Sequence, residues 1–353
     1  MEAARPIEIR AYRVGPGDGT ALPLVIDANG DPSAAGLIQW CAARRDWFER
    51  TITRHGAVLL RGFAVYDAPT FDAVARSIAG DLKNHYLGTP ADRLTEYVFP
   101  SSNLQGIYPI AQHCEMSYLR TPPARIFFCC LTPPAPNTGE TPLADFRKVW
   151  QHLDLTVRDR FVARGIRVIR NFRGPRSRKR RLWNLERWDD LFLTSDRTLV
   201  AAKCAAEGID LSWMADDGLR LVITQPVSRP HPQTGEPVWY NQFAAHHLST
   251  SAWQYPDIFR LRPTFRNWAA WQLVRATVAL KRWSPPATLA FHCTYADGSQ
   301  IDEADMRVLL RTIWEHTVIT PWQSGDVLAI DNRAIAHGRL PFHGPRRIVT
   351  CLA

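Results

Sequence analysis

Short apolar runs separated by polar turns dominate the chain, and they predict buried strands. The run HGAVLLRGF (55–63) contains two bounding glycines, and ARIFFCCL (124–131) ends at the Pro- and Gly-rich loop TPPAPNTGE. Runs of this length and composition are typical of strands that are covered on both faces. By the same criterion we expect further strands at VWYNQF (238–243), ATLAFHCTY (287–295), DVLAID (326–331) and RRIVTCLA (346–353).

The segment after Asp67 follows a different spacing, which is typical of an amphipathic helix. Asp67 can cap the first turn, and apolar side chains recur at i, i+3, i+4 and i+7, namely Phe71, Val74, Ala75 and Ile78. Longer helices are predicted at about 257–283 and 302–316. Many short strands with inserted helices, without regular strand–helix alternation, favour an antiparallel barrel or jelly roll with additional helices.

Composition narrows the class of protein. The 353-residue chain is 46% apolar and 22% charged, which suits a globular protein with a sizeable core. It has no apolar run long enough to cross a membrane, and its first residues contain acids without an apolar segment, so we expect neither a membrane span nor a secretory leader. Seven cysteines without a CxxC pattern argue against a disulfide framework or a cysteine-rich zinc site. A cytoplasmic protein is therefore expected.

Much of the net charge of +9 lies in one basic tract at residues 167–181, within RVIRNFRGPRSRKRRLW. Such a run is most often a solvated face or loop. The second interpretation is a docking site for an acidic protein partner. We expect no nucleic-acid binding, because no recognised nucleic-acid-binding motif accompanies the tract.

The stretch AQHCEMSY (111–118) contains the first candidate chemistry. His113 and Glu115 are two residues apart, so on a strand both side chains would lie on one face while Cys114 points away. An imidazole and a carboxylate placed in this way are two ligands of a two-histidine, one-carboxylate iron site. The pair alone is weak support, since H-x-E occurs by chance. Cys114 could be a nucleophile, but we interpret it as a packed small residue.

The C-terminal segment supplies the second histidine. His337 follows a predicted strand and an Asp-Asn turn, and Arg346 and Arg347 come nine and ten residues later. An arginine at that point could bind a carboxylate through two hydrogen bonds. Thr141, at the predicted start of a strand, could bind the same carboxylate through its hydroxyl.

Four motifs in this order resemble those of the taurine-dioxygenase (TauD/TfdA) family of Fe(II)- and 2-oxoglutarate-dependent oxygenases. They are HCEMSY, FFCCLTPPAPNTGETPLADFRKVW, HPQTGEPVWYNQFAAHH and WQSGDVLAIDNRAIAHGRLPFHGPRRI. Within the family the chain is most similar to a SyrP-like subgroup from peptide natural-product pathways. The resemblance implies a mainly β fold with a double-stranded β-helix core (a cupin-like jelly roll). It also implies a single oxygenase domain at 55–353 with a helical insertion at about 150–285, and an N-terminal extension, 1–54, packed on the core.

The resemblance also implies roles for individual residues. His113, Glu115 and His337 match the iron ligands, and Thr141 and Arg347 match the residues that bind the distal carboxylate of 2-oxoglutarate, with Arg346 as a rival. The implied cofactors are Fe(II), 2-oxoglutarate and O2. Taurine dioxygenase has a substrate-binding arginine four residues after its co-substrate arginine. Counted from Arg347, that position is Cys351, so a taurine-like substrate is not expected.

The expected reaction is hydroxylation of an unactivated C–H bond in an amino-acid-like substrate, free or tethered to an acidic carrier protein that docks at 167–181. Desaturation or oxidative cyclisation at the same site is an alternative, and a non-catalytic jelly-roll binding protein is another. Related halogenases lack the carboxylate ligand, so Glu115 argues against halogenation. Candidate substrate contacts are Asn103, Ser117, Tyr118, Arg170 and Asn241, each of which could equally be structural.

Overall fold

Two mainly antiparallel sheets with a shared apolar interior form the centre of the protein. The computed structural model describes residues 22–84, 92–102, 104–175, 177, 186–214 and 216–353. Its strands are β1 (Leu24–Asp27), β2 (Ala57–Arg61), β3 (Phe99–Pro100), β4 (Ile110–His113), β5 (Arg125–Thr132), β6 (Leu143–Asp145), β7 (Ile166–Phe172), β8 (Asp210–Trp213), β9 (Leu219–Gln225), β10 (Arg229–Pro230), β11 (Pro237–Val238), β12 (Phe291–Tyr295), β13 (Thr317–Val318), β14 (Val327–Asp331), β15 (Ile335–Arg339) and β16 (Arg347–Leu352).

Helices surround these sheets and fill the segments between the strands. They are α1 (Ala34–Ala42), α2 (Arg45–His55), α3 (Ala68–Ile78), α4 (Phe146–His152), α5 (Leu155–Arg164), α6 (Trp188–Phe192), α7 (Arg197–Glu207), α8 (Phe243–His246), α9 (Thr250–Leu261), α10 (Phe265–Arg282) and α11 (Glu303–Glu315), with a 3₁₀ turn at Pro286–Thr288. Mixed sheets with inserted helices agree with the fold class that the sequence predicts.

The larger sheet has the strand order β1-β2-β14-β5-β16-β3. Along β2, Val58 and Leu60 pack in the core beneath α1–α3, while Leu59 packs in the core between the two sheets. Both faces of the strand are therefore covered, which explains why β2, β5 and β14 appear in the sequence as continuous apolar runs rather than alternating ones.

The smaller sheet has the order β13-β6-β15-β4. Leu143 and Ile335 on this sheet share an apolar cluster with Ile126, Phe128 and Ile330 of the larger sheet. The turn after β14 carries the chain from the larger sheet into β15 of the smaller one. This sheet-to-sheet packing is the jelly-roll core, and the residues predicted to bind iron lie at its open side.

The chain between β6 and β13 contains a third sheet, ordered β12-β7-β9-β8, together with α4–α11. Two predictions made for this segment are wrong. The segment 238–243 is not a strand beyond Val238, because Trp239 and Tyr240 are buried in irregular backbone before α8. The helix predicted at 257–283 is two helices, α9 and α10, since the chain breaks between them at Pro263.

The described part of the predicted N-terminal extension, residues 22–54, contributes to the core. Its strand β1 pairs in parallel with β2, with Leu24 opposite Val58, and α1 and α2 cover the same sheet. Residues 1–21 lie outside the described part of the chain. Among the described helices, none is both long and apolar enough to cross a membrane.

Removal of the cap of α3 should lower the stability of the larger sheet's outer layer. The Asp67 carboxylate accepts a hydrogen bond from Thr70 N at 2.8 Å, so Asp67→Ala should reduce the free energy of unfolding by about 1 kcal/mol. Asp67→Ser, which retains a capping oxygen, is the matched control and should lose much less. Urea unfolding followed by circular dichroism measures both, and equal losses would contradict the capping role.

Candidate metal centre

The first two candidate ligands lie at the end of a strand rather than within it. Strand β4 ends at His113, and Glu115 belongs to the turn that follows, where Met116 has a positive φ of 51°. The two side chains do converge as predicted, but strand alternation is not the reason, since Glu115 lies outside the strand. The turn redirects the chain, and it brings the Glu115 carboxylate to the same side as the His113 ring.

The second histidine arrives by direct strand pairing. On β15, His337 is the backbone partner of His113 on β4. The two strands approach closely here, because a Cβ atom placed on Gly338 would lie 2.4 Å from the carbonyl oxygen of Ile110. Glycine is therefore required after His337, and its absence of a side chain lets the two histidine rings lie 4.7 Å apart.

The three side chains converge on one point. His113 Nε2 lies 3.5 Å and His337 Nε2 lies 3.6 Å from Glu115 Oε2, and one ligand atom from each residue lies within 4.8 Å of the others. His113 Nδ1 lies 2.8 Å from the Ala111 carbonyl oxygen. Since a carbonyl can only accept, Nδ1 carries the proton and Nε2 has its lone pair free for a metal.

The electrostatics of the site favour the metal-binding protonation states of Glu115 and His337. Burial acts to raise the pKa of Glu115, but its interactions with His113 and His337 outweigh burial and hold that pKa well below its ordinary range. Burial lowers the pKa of His337 and favours its neutral ring. Burial also acts to lower the pKa of His113, but the Glu115 carboxylate outweighs it and raises that pKa, so a metal would compete with a proton for this ring. A carboxylate and neutral imidazoles fit a divalent iron, for which two histidines and one carboxylate are a preferred donor set.

Asn332 positions the carboxylate ligand, and little in the sequence indicates this role. Its side chain accepts a hydrogen bond from Glu115 N at 2.7 Å and donates to the carbonyl oxygens of Glu115 and Pro123 at 2.9 and 2.8 Å. The neighbouring Asp331 is fully buried and accepts hydrogen bonds from Arg125 and His231. The Asp-Asn pair after β14 is thus a support for the metal centre, and that dipeptide was the only signal available.

A cavity of about 210 Å³ lies beside the three ligands. Thr141 and Arg346 line it, as do Arg339, Phe128 and Thr350. Thr141 Oγ1 accepts a hydrogen bond from Trp322 Nε1 at 3.2 Å, so its own proton is available to a ligand in the cavity.

The resemblance implies that Arg347, rather than Arg346, binds the distal carboxylate of 2-oxoglutarate, but the placement of the two side chains favours Arg346. Arg346 lines the cavity, whereas the side chain of Arg347 is exposed. Strand β16 explains the difference, since Thr350 faces the cavity while Val349 and Cys351 pack on the opposite face of the sheet. Counted from Arg346, the position four residues later is Thr350 rather than Cys351. It is again not an arginine, so the argument against a taurine-like substrate still holds.

Arg339 is a second buried cation in the cavity wall. Its guanidinium donates to the carbonyl oxygens of Leu104, Gln105 and Tyr108 at 2.9–3.0 Å, and to Ser102 Oγ at 3.4 Å. Among the described residues it makes no salt bridge. It therefore fastens the segment 102–108 to the strand that carries His337, and it leaves its charge uncompensated inside the protein.

Comparison with known proteins agrees with this geometry. The model of the family described as "Taurine catabolism dioxygenase TauD, TfdA family" matches residues 22–352. The chain belongs to the TauD/TfdA family. It is thus a dioxygenase that uses Fe(II) and 2-oxoglutarate, and His113, Glu115 and His337 form a group able to hold the metal.

Individual TauD/TfdA relatives cover most of the chain. The dapdiamide synthesis protein DdaC of Enterobacter agglomerans is 27% identical over 305 residues, which is 86% of this chain and 84% of that protein. A clavaminate synthase-like protein of Arabidopsis thaliana is 28% identical over 324 residues, or 89% and 86% of the two chains. The structure of PvcB from Pseudomonas aeruginosa has the same fold, with a TM-score of 0.53, 15% identity, and coverage of 99% of this chain and 91% of that one.

The residues predicted to contact substrate do not line this cavity of the TauD/TfdA core. Ser117 is buried, and Tyr118 and Arg170 are largely buried beside the third sheet. Asn241 is buried and donates to the Val227 carbonyl oxygen at 2.8 Å. Asn103 lies outside the described residues, as do all five basic residues in 176–181.

Cys114 is not a plausible nucleophile in this structure. It is fully buried, and burial raises the pKa of its thiol well above the ordinary value. A thiol without thiolate character or solvent access is unreactive. Its interpretation as a packed residue therefore agrees with its place in the apolar cluster around Val149 and Phe243.

Loss of the Asn332 side chain should weaken iron binding in this TauD/TfdA protein. Asn332→Ala removes the hydrogen bonds that orient the Glu115 turn, and such supporting residues typically contribute about 10- to 100-fold in metal affinity. Anaerobic Fe(II) titration measures the change. Asn332→Asp, which can still accept from Glu115 N, should retain part of the affinity. Wild-type affinity in Asn332→Ala would contradict the supporting role.

Proposed function

We propose that the protein hydroxylates an unactivated C–H bond of an amino-acid-like substrate, with 2-oxoglutarate as co-substrate. The observation that carries the proposal is a complete set of three ligands beside a small cavity, whose wall contains a partly buried arginine that has no carboxylate partner among the described residues. In this proposal His113, Glu115 and His337 hold Fe(II). When bound, the iron and 2-oxoglutarate supply the oxidising chemistry, and the protein supplies ligand geometry, positioning and exclusion of water.

Arg346 is proposed to bind the distal carboxylate of 2-oxoglutarate. Its Nε donates to the Gly139 carbonyl oxygen at 2.9 Å, and it makes no salt bridge with any described residue. Burial and, as a smaller cause, the nearby charge of Arg339 lower the pKa of Arg346 to about 10. A buried cation in this state gains from a bound anion, since the carboxylate compensates both desolvation and repulsion.

Thr141 is proposed to complete the carboxylate site. Its hydroxyl accepts from Trp322 and can donate in turn to a carboxylate oxygen. Phe342 lies between the two arginines, with its ring centre 5.1 Å from the guanidinium carbon of Arg339 and 5.3 Å from that of Arg346. These contacts would restrain both guanidinium groups before the co-substrate binds.

Substrate recognition is proposed to involve Arg170 and Tyr118. The Arg170 guanidinium lies between the rings of Phe172 and Phe291, at 4.8 and 5.0 Å, and its nearest carboxylate among the described residues is Glu186 at 3.5 Å. Burial raises the pKa of Tyr118, and the Arg170 charge opposes this shift. The Glu115 charge also acts on Tyr118, so this pair lies near the metal ligands although neither residue lines the 210 Å³ cavity. A largely buried cation there would suit the carboxylate of an amino-acid-like substrate.

The place of the reaction in metabolism is inferred from a relative. DdaC is a dapdiamide synthesis protein by name, which supports a role in natural-product biosynthesis. A substrate tethered to an acidic carrier at the tract 167–181 remains part of the proposal. All seven cysteines are unpaired, which supports a reducing, cytoplasmic location.

Two other outcomes are compatible with parts of this site. Desaturation and oxidative cyclisation would use the same ligands, because they differ from hydroxylation only after hydrogen abstraction. A non-catalytic binding protein would not need three converging metal ligands. Mass spectrometry of products from candidate amino acids separates hydroxylation, which adds one oxygen atom, from desaturation or cyclisation, each of which removes two hydrogens.

The metal assignment predicts a visible signature. Anaerobic addition of Fe(II) and 2-oxoglutarate to the protein should produce the weak charge-transfer absorption of the chelated co-substrate, and His337→Ala should abolish it together with substrate-dependent succinate formation. The reason is that removal of one of three protein ligands leaves an incomplete iron site. Absence of the band in the wild-type protein would refute the oxygenase proposal.

The two neighbouring arginines provide a matched pair of variants. Arg346→Met should weaken 2-oxoglutarate binding roughly 10- to 100-fold, as expected when a hydrogen bond to a charged group worth about 1.5–3 kcal/mol is lost. Arg347→Met, one residue away but exposed, should leave the affinity unchanged. The charge-transfer band, titrated with 2-oxoglutarate, reports both affinities. The opposite ranking would assign the co-substrate to Arg347.

A further inference from the structure

Helix α10 is apolar on two opposite sides. Its inner side packs through Ala270, Val274 and Val278 against Ala252 and Tyr255 of α9. Its outer side exposes large apolar side chains, with exposed fractions of 80% for Phe265, 45% for Trp268, 52% for Leu273, 62% for Leu280 and 88% for Trp283, which directly follows the helix. We call this outer side, residues 265–283, the α10 face.

An exposed apolar face of this kind needs a binding partner that shields it from water. A helix that is hydrophobic all round is normally buried, and contiguous exposed patches of several hundred Å² mark interaction sites. From the exposed fractions, the five large side chains present on the order of 700 Å² to solvent. A stable interface buries about 800 Å² on each partner, so the α10 face alone approaches the area that a specific complex needs.

We propose that the α10 face binds the same face of a second copy of this chain, with the two α10 helices antiparallel across a twofold axis. The sequence of the helix is self-complementary about residue 274. Phe265 and Trp283 lie nine residues on either side of that point, and Trp268 and Leu280 lie six residues on either side. In an antiparallel pair four of the five large side chains therefore meet another large one, in the self-complementary arrangement that a twofold interface requires.

The middle of the α10 face favours a helix as the occupant. Small side chains lie between its large terminal residues, namely Ala269, Ala276 and Ala279, so two helix backbones could approach closely along this stretch while the aromatic residues and Leu280 pack towards the two ends. A lipid surface would gain little from small central side chains, because membrane binding scales with the apolar area that is inserted.

The charges around the face are compatible with self-association. Helix α10 contains Arg266, Arg275, Lys281 and Arg282 and no acidic residue. An antiparallel pair would place Arg266 near the partner's Arg282, but Arg282 is already paired with Glu303 of α11. Near the axis, Arg275 would face the partner's Leu273, where its aliphatic stem can pack and its charge can reach water.

The α10 face is also connected to the metal centre. Arg262, between α9 and α10, donates to Glu140 at 2.9 Å, next to Thr141. Arg266 of α10 donates to the Phe342 carbonyl oxygen at 3.5 Å, and Tyr255 of α9 donates to the Ile107 carbonyl oxygen. Dimerisation would thus restrain α9 and α10, whose hydrogen bonds hold the chain at Ile107, Glu140 and Phe342 near the cavity.

Sedimentation velocity over a range of protein concentrations tests the proposal. The wild-type chain should be a dimer, and Leu280→Glu should convert it to a folded monomer, with folding checked by circular dichroism. Leu155→Glu is the matched control, since Leu155 of α5 is 61% exposed and Leu280 is 62% exposed. The control should remain dimeric. The readout does not depend on catalysis, so it is independent of the proposed function.

Engineered cysteines test the antiparallel register. Gln272 and Ala276 lie two residues on either side of residue 274, so the double variant Gln272→Cys/Ala276→Cys should form a covalent dimer on oxidation. Each single variant should not, because its thiol would face a residue other than cysteine. The seven native cysteines are all buried, which keeps them out of the reaction.

Three results would overturn the proposal. The first is a wild-type chain that stays monomeric at all concentrations. The second is a dimer that Leu280→Glu leaves intact, since the interface must then lie elsewhere. The third is a monomer that sediments with phosphatidylcholine–phosphatidylserine vesicles and loses this binding in Leu280→Glu, which would identify a lipid surface as the occupant.

Discussion

The backbone pairing of β4 with β15 is the constraint on which the metal centre depends. It sets His113 opposite His337, and it does so at a distance that only a glycine at 338 permits, because any side chain there would meet the Ile110 carbonyl. No loop could fix two imidazoles from segments more than two hundred residues apart with the same accuracy. The two histidines are therefore placed by the fold, and only the carboxylate ligand depends on a turn.

Local patterns predicted the parts of this structure that local forces determine. Strands β2, β5, β14 and β16 and helices α3 and α11 were predicted near their observed positions, because each buries a continuous or periodic set of apolar side chains. The strand predicted at 238–243 is wrong, since Trp239 is buried there without being part of a strand. The break at Pro263 does follow from the sequence, because proline lacks a backbone N–H and disfavours a helical conformation in the residue before it.

The sequence predicts the metal ligands of the site better than it predicts which side chains face the cavity. The three metal ligands are brought together as expected, but the choice between Arg346 and Arg347 depends on which face of β16 each occupies. A register shift between Arg347 and Ile348, where β16 pairs with β5, affects that choice, and no periodicity in the sequence reports it. Asn332 was missed for a related reason, since its contact with Glu115 spans 217 positions along the chain.

Asn332 also gives the metal a part in holding the two sheets together. It stands in the turn that leads from the larger sheet to the smaller one, and its side chain holds the backbone of the Glu115 turn. A bound ion would join that turn to β4 and β15 of the smaller sheet, and the hydrogen bonds of Asn332 extend the connection to the turn that leaves the larger sheet. Any ligand that binds only the folded state adds to stability by mass action. The iron-free protein should accordingly open more readily at this end of the jelly roll, and a protease should cleave it faster than the iron-bound protein.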